Sequence, residues 1–245
     1  MKTFCKSFFI SILLIFVISL FWGCGVNPKQ IKRMQALEEG VSNPTTKEEL
    51  KDAIQKYEHR VEDITSAAAQ TGIWYKILAS RYLDDGMYGE ALKYYQKAIE
   101  YFPTNQNLYY WVGVCAGYMA KASLDYNGSG NLSQKENYLK LSESAYLRAL
   151  ELEPTYARAM YGLAILYVFD LNESEKAIPL LEKLLTIDTR NTDAMMVLAN
   201  AYYQNYEFDK AVELYDKIIS ISTSPEKKVA AEANKKLVLE MAYGE

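Results

Sequence analysis

Apolar positions along most of this chain recur at steps of three and four, the spacing that puts them on one face of an α-helix. Tyr75, Leu78, Ala79 and Tyr82 form one such stripe, and Ala91, Tyr95 and Ala98 form a second before Pro103 interrupts it. The same order returns from Thr192 to Pro225 as Met195, Leu198, Ala199 and Tyr202, then Ala211, Tyr215 and Ile218, with Thr223 in the place of the proline. Between them lie Met160, Leu163, Ala164 and Tyr167, followed by Ala177, Leu181, Leu184 and Thr189, with one residue inserted in the intervening turn. Ala79 and Gly113 are 34 residues apart, and this period predicts repeated pairs of amphipathic helices.

A further unit starts at Gln106 with Tyr109, Val112, Gly113 and Ala116, but its second stripe, Ser142, Tyr146, Ala149 and Pro154, arrives 17 residues late. The extra residues keep helical composition. Asn127-Gly128-Ser129-Gly130 reads as a turn, and Ser133 with Glu136 as a capping box, so both helices of this unit are predicted to be longer than usual. The projecting arms carry Tyr118, Met119, Leu124, Tyr126, Leu132, Tyr138 and Leu139. These either zip the extension together or form a contact at its tip with a partner or a second copy.

Ala79, Gly113, Ala164 and Ala199 fall where two helices of a pair must approach closely, since a large side chain would hold them apart. Thr46 with Glu49 forms a second capping box. It opens a stripe of Leu50, Ala53, Ile54, Tyr57, Val61 and Ile64, read as an N-terminal capping helix over 45–71 that packs on the first unit. A shorter helix is predicted around Ile31 to Glu39, within a tether over 25–44. After Pro225, the segment 226–245 spaces Val229, Ala233, Leu237 and Met241 four apart and reads as a solvating C-terminal cap.

The pattern resembles the tetratricopeptide repeat, whose preferred Trp, Leu, Gly, Tyr, Ala, Phe, Ala and Pro positions are matched by residue class in the first unit, from Tyr75 to Pro103. The resemblance covers 72–225 in four units, 72–105, 106–156, 157–191 and 192–225. It implies an all-α, right-handed superhelical solenoid in which stacking buries what a single unit cannot. It also implies that the first helix of each unit lines a concave groove. Carried over place by place, that groove receives Lys76, Tyr110, Arg158, Tyr161, Asn200 and Tyr203, with Trp111 beside them. Such a groove suits an extended or helical peptide held by rigid aromatic anchors. Lys76 and Arg158 match two basic places of the carboxylate clamp found in some such domains, but Ser80 and Trp111 stand where the clamp uses Asn.

Composition narrows the chemistry. The chain of 245 residues is 50% hydrophobic with 12 Gly and 6 Pro, which favours long helices over a turn-rich β fold. Its net charge of −4 provides no strongly basic face for nucleic acid. With one histidine and three cysteines, neither a Cys/His zinc site nor a histidine-rich catalytic constellation can be assembled, so no enzyme, metal or cofactor is expected. His59 lies between charged neighbours and reads as a surface residue, Cys115 as a buried inert thiol. The conspicuous excess is 21 tyrosines beside 8 Phe and 3 Trp.

Lys2 and Lys6 precede an uncharged run from Ser7 to Gly23, the layout of an export signal over 1–23. Gly23-Cys24 at its end resembles the lipobox of bacterial lipoproteins, whose cysteine is acylated and becomes the mature N-terminus. Phe21 and Trp22 depart from the usual residues before that cysteine, and an uncleaved anchor is the other reading. Either way the chain is expected in the cell envelope, tethered to the inner or outer membrane and facing the periplasm or exterior. The expected role is capture of a protein or peptide partner, in envelope assembly or beside a transport system. A small hydrophobic ligand bound for a transporter is the alternative.

Overall fold

The computed structural model describes Lys32 and residues 44–125 and 132–244, so the export signal, Cys24, most of the predicted 31–39 helix, Tyr126 and the Asn127–Gly130 turn lie outside the described residues. The rest is all helical: α1 (Lys47–Asp84), α2 (Tyr88–Tyr101), α3 (Gln106–Asp125), α4 (Leu132–Leu152), α5 (Ala157–Ile165) with a π-helical turn π1 (Leu166–Asp170), α6 (Ser174–Ile187), α7 (Thr192–Gln204), α8 (Phe208–Ile221) and α9 (Pro225–Tyr243). No helix among the described residues is long and apolar enough to cross a membrane. The chain divides into two compact units, 1–66 and 67–245.

In the first unit, the described segment is the start of α1. Thr46 caps it as predicted: its Oγ1 accepts the Glu49 N–H at 3.2 Å, while the Glu49 carboxylate accepts the Thr46 N–H at 3.0 Å. Further bonds from the Thr45 N–H and hydroxyl hold that carboxylate down at a pKa of about 2. The predicted separate capping helix is instead the leading part of one 38-residue helix, because no Gly or Pro stands between Lys47 and Gly72 to end it. Its apolar stripe is not covered: Leu50, Ile54, Tyr57, Val61 and Ile64 are exposed.

In the second unit, the remainder of α1 pairs with α2, α3 with α4, α5 and π1 with α6, and α7 with α8, each pair packing on the next. The first helices of successive pairs also touch one another, α3 with α5 and α5 with α7, so they share one face of this solenoid. The small residues of the repeat are its innermost positions. Ala79, Ala91, Ala98, Ala149, Ala164, Ala177, Ala199 and Ala211 have no exposed surface. Around them sit Tyr95, Tyr146, Tyr167, Tyr202 and Tyr215, all buried, whereas Tyr75, Tyr82 and Tyr109 at the remaining packing positions are half-buried. Two of the buried rings keep their hydroxyls satisfied by carboxylates: Tyr167 donates to Glu143 at 2.9 Å and Tyr202 to Glu182 at 2.6 Å. A phenylalanine could fill either hole but could not make that bond.

The extended second pair is built as predicted from longer helices. α3 has 20 residues and α4 has 21, each seven more than α7 (13) and α8 (14) respectively. At 1.5 Å per residue the arms project about 10 Å further. Ala120 and Leu139 are buried between them and Tyr138 is half-buried, so these residues zip the extension. Its side leans on α2, where the rings of Tyr118 and Tyr88 stack with centroids 4.2 Å apart. Ser133 does not take the N-cap position, since α4 already begins at Leu132.

Among the described residues, three turns between paired helices place a residue in the left-handed region: Gly86 (φ 72°), Asn172 (φ 56°) and Tyr206 (φ 62°). Gly86 and Tyr206 follow the tyrosine of their helix by four residues, but Asn172 follows Tyr167 by five. The turn itself is therefore unchanged, and the inserted residue predicted for it sits in π1. There the wider ring closes from the Leu171 N–H to the Leu166 carbonyl at 2.9 Å.

α9 caps the array, with its N-terminus held by Ser224 and its C-terminus ended by left-handed Gly244. Ala231 and Val238 are its buried residues, while Val229, Ala233, Leu237 and Met241, the stripe seen in the sequence, are exposed. Salt bridges of 2.7 Å from Lys227 to Asp193 and 2.6 Å from Lys235 to Asp216 tie α9 to α7 and α8.

Candidate functional site

The face shared by the first helices of the second and third pairs contains an open cleft of about 330 Å³. Tyr110, Val114, Gly117, Tyr118 and Lys121 come from α3, Arg158, Tyr161, Gly162 and Ile165 from α5, and Leu166 and Asp170 from π1. Ser142 and Tyr146 of α4 close its floor.

The floor depends on two glycines. An added Cβ would meet the Tyr146 ring at 2.7 Å from Gly113 and at 2.8 Å from Gly162, so the backbones of α3 and α5 both lie directly against that ring. Gly113 also presents its carbonyl to the buried Ser142 hydroxyl, which donates to it at 2.8 Å. Burial raises the Tyr146 phenol well above its ordinary value. Tyr110 stands edge-on to Trp111 at 4.8 Å and to Tyr156 at 5.8 Å, and is therefore a braced wall rather than a swinging side chain. Burial raises its phenol too, with the Arg158 charge pulling the other way. Tyr161 is raised by burial, reinforced by the negative charge of Asp193. Lys121 and Arg158 are exposed cations, so the cleft pairs an aromatic and aliphatic lining with positive charge at solvent and one carboxylate, Asp170.

Of the groove residues carried over from the repeat pattern, Tyr110, Arg158 and Tyr161 meet here. Asn200 and Tyr203 line a different cleft, of about 350 Å³, formed by α7, α8 and α9 together with Tyr215, Asn234, Leu237 and Met241. The Asn200 amide donates to the Met196 carbonyl at 2.9 Å. Trp111 lines neither cleft: it is half-buried and stacks on Tyr95 at 6.2 Å, joining the first pair to the second. Lys76 is exposed on α1 and borders neither cleft. His59 is exposed, and Cys115 is fully buried with its thiol pushed up to about 12 by burial.

Pattern reading had no place in the groove for Lys121, Tyr146, Asp170, Leu237 or Met241. Asp170 reaches the cleft through π1, and Lys121 belongs to the part of α3 that exceeds the repeat. The signal for Leu237 and Met241 was present in the stripe on α9, which faces a cleft instead of the core.

Comparison with known proteins agrees with the repeat architecture. Tetratricopeptide repeat models match residues 73–105, 139–192 and 168–225. A TPR repeat-containing protein of Borreliella burgdorferi is 25% identical over 223 residues, covering 88% of this chain and 93% of its own. Among solved structures, TTC0263, a thermophilic TPR protein of Thermus thermophilus, is 18% identical with a TM-score of 0.53, covering 77% of this chain and 91% of its own. YrrB, a TPR protein with an unusual peptide-binding site, is 22% identical with a TM-score of 0.52, covering 76% and 84%. The chain carries tetratricopeptide repeats over these residues, folded as an all-α solenoid.

Proposed function

We propose that this chain is an envelope scaffold, tethered to a membrane through Cys24 and facing away from the cytoplasm, that captures a peptide segment of a partner protein in the cleft between its second and third repeats. The observation that carries the reading is the cleft itself: braced aromatic walls at Tyr110 and Tyr161, a rigid floor at Tyr146, and Lys121 and Arg158 beside them. Preformed aromatic anchors favour binding because little side-chain freedom is lost when a ligand docks. The cleft is open to solvent, which suits a chain segment passing through it better than a small hydrophobic molecule that must be enclosed. The flanking cations favour an acidic residue in that segment. That the same fold carries a peptide-binding site in YrrB supports the reading.

A photo-crosslinking side chain at Ile165 in the native host should trap the partner. Tyr161→Ala combined with Arg158→Ala should then reduce capture at least tenfold while far-ultraviolet circular dichroism stays unchanged, since truncating one hot-spot aromatic alone costs about 2 kcal/mol or more. Capture at the wild-type level by a folded double mutant refutes the cleft as the site.

A further inference from the structure

The leading part of α1, within the first unit, carries Leu50, Ile54, Tyr57, Val61 and Ile64 at alternating steps of four and three. Steps that average 3.5 are the heptad of a coiled coil, whereas a helix lying on a globular core drifts with the 3.6-residue turn. These five side chains are between 39% and 60% exposed, and a continuous apolar seam of this kind marks an interaction surface. In heptad terms Ile54 and Val61 take a positions and Leu50, Tyr57 and Ile64 take d positions. The flanking e positions are then Lys51 and Glu58, and the g positions are Ala53 and Arg60.

We propose that this seam pairs antiparallel with the same seam of a second copy of the chain. Charge selects both the orientation and the register. In one antiparallel register Leu50 meets Val61 of the second copy and Ile54 meets its Tyr57. That register sets Lys51 opposite Glu58 of the second copy, twice by symmetry, and sets Ala53 opposite its Arg60. Sliding one heptad in one direction puts Lys51 against Lys51. Sliding in the other puts Glu58 against Glu58 and Arg60 against Arg60. A parallel pairing joins g to e positions, here Ala53 with Glu58 and Arg60 with Thr65, and gains no ion pair. A two-fold arrangement with reciprocal contacts is also the commonest form of self-association.

The test uses the full chain in detergent micelles, with oligomeric state read by sedimentation velocity. The wild type is expected to be a dimer. Ile54→Glu, which places a carboxylate in the seam, should be monomeric with unchanged helicity. Lys51→Glu creates two like-charge pairs in the assigned register and should weaken the dimer about tenfold. Adding Glu58→Lys to it should restore the wild-type constant, a rescue that the parallel and shifted pairings do not produce. A wild type that stays monomeric at its highest soluble concentration overturns the proposal, whether its seam then lies on lipid vesicles or is covered by residues 26–43 of its own chain. So does a Lys51→Glu variant that dimerises as tightly as the wild type.

Discussion

Gly113 and Gly162 make the sharpest prediction about how the cleft is held. Replacing a helix-interior glycine by alanine ordinarily stabilises a helix by about 1 kcal/mol, because glycine loses more backbone freedom on folding. At Gly113 the added methyl would sit 2.7, 2.8 and 2.9 Å from Cε1, Cδ1 and Cζ of Tyr146. Carbon atoms prefer about 3.5–4.0 Å, so the ring would have to withdraw by roughly 0.8 Å. It has nowhere to go, because a methyl on Gly162 would meet the same ring at 2.8 Å and the α5 backbone therefore already touches it. Overpacking of this kind costs about 1–3 kcal/mol, which cancels or outweighs the helix gain and leaves Gly113→Ala a net loss of up to about 2 kcal/mol. The control removes the ring. In a Tyr146→Ala background the same substitution should become favourable by up to about 1 kcal/mol, so the two positions should couple strongly in a double-mutant cycle. Urea unfolding followed by circular dichroism measures all four variants. The explanation fails if Gly113→Ala shows the full helix gain over the wild type, or if its effect is unchanged once Tyr146 is gone.

Two further outcomes follow from particular positions. Tyr206 is 81% exposed and held at φ 62°, a conformation that costs a side-chain-bearing residue about 1–2 kcal/mol, and Gly86 occupies the equivalent turn without that cost. Tyr206→Gly should therefore raise stability by up to about 1 kcal/mol in the same urea assay, and a loss of stability would show that its edge-on contact with Phe208 outweighs the strain. For the tether, labelled fatty acid fed to the native host should enter the wild type and be absent from Cys24→Ala; label retained by the variant would place the anchor elsewhere.

The reading of the repeats was legible because each feature is local. Ala79, Ala164 and Ala199 announced close helix approach, Thr46 with Glu49 announced a helix start, and all are found in those roles. The two longer helices of the second pair were equally visible, since an insertion without Pro and with a single Gly cluster can only lengthen what flanks it. Tyrosine divides in the same way. Tyr95, Tyr146, Tyr167, Tyr202 and Tyr215 fill holes beside small residues, while Tyr110, Tyr118 and Tyr161 border the cleft.

The sequence by itself determined which stretches form helices and which small side chains lie innermost, because these follow from spacing along one helix. Tertiary structure decided which neighbour each face meets. Tyr110 and Trp111 are adjacent in sequence and both aromatic, yet one faces the cleft and the other stacks on Tyr95, since a step of one residue turns a side chain about 100° around the helix axis. Leu237 and Met241 of the α9 stripe border a cleft rather than the core, because Ala231 and Val238 are the residues of α9 that are buried. Asp170 reaches the cleft only through the extra residue held in π1. Periodicity names the face of a helix, and only the packing of one helix against the next names what that face touches.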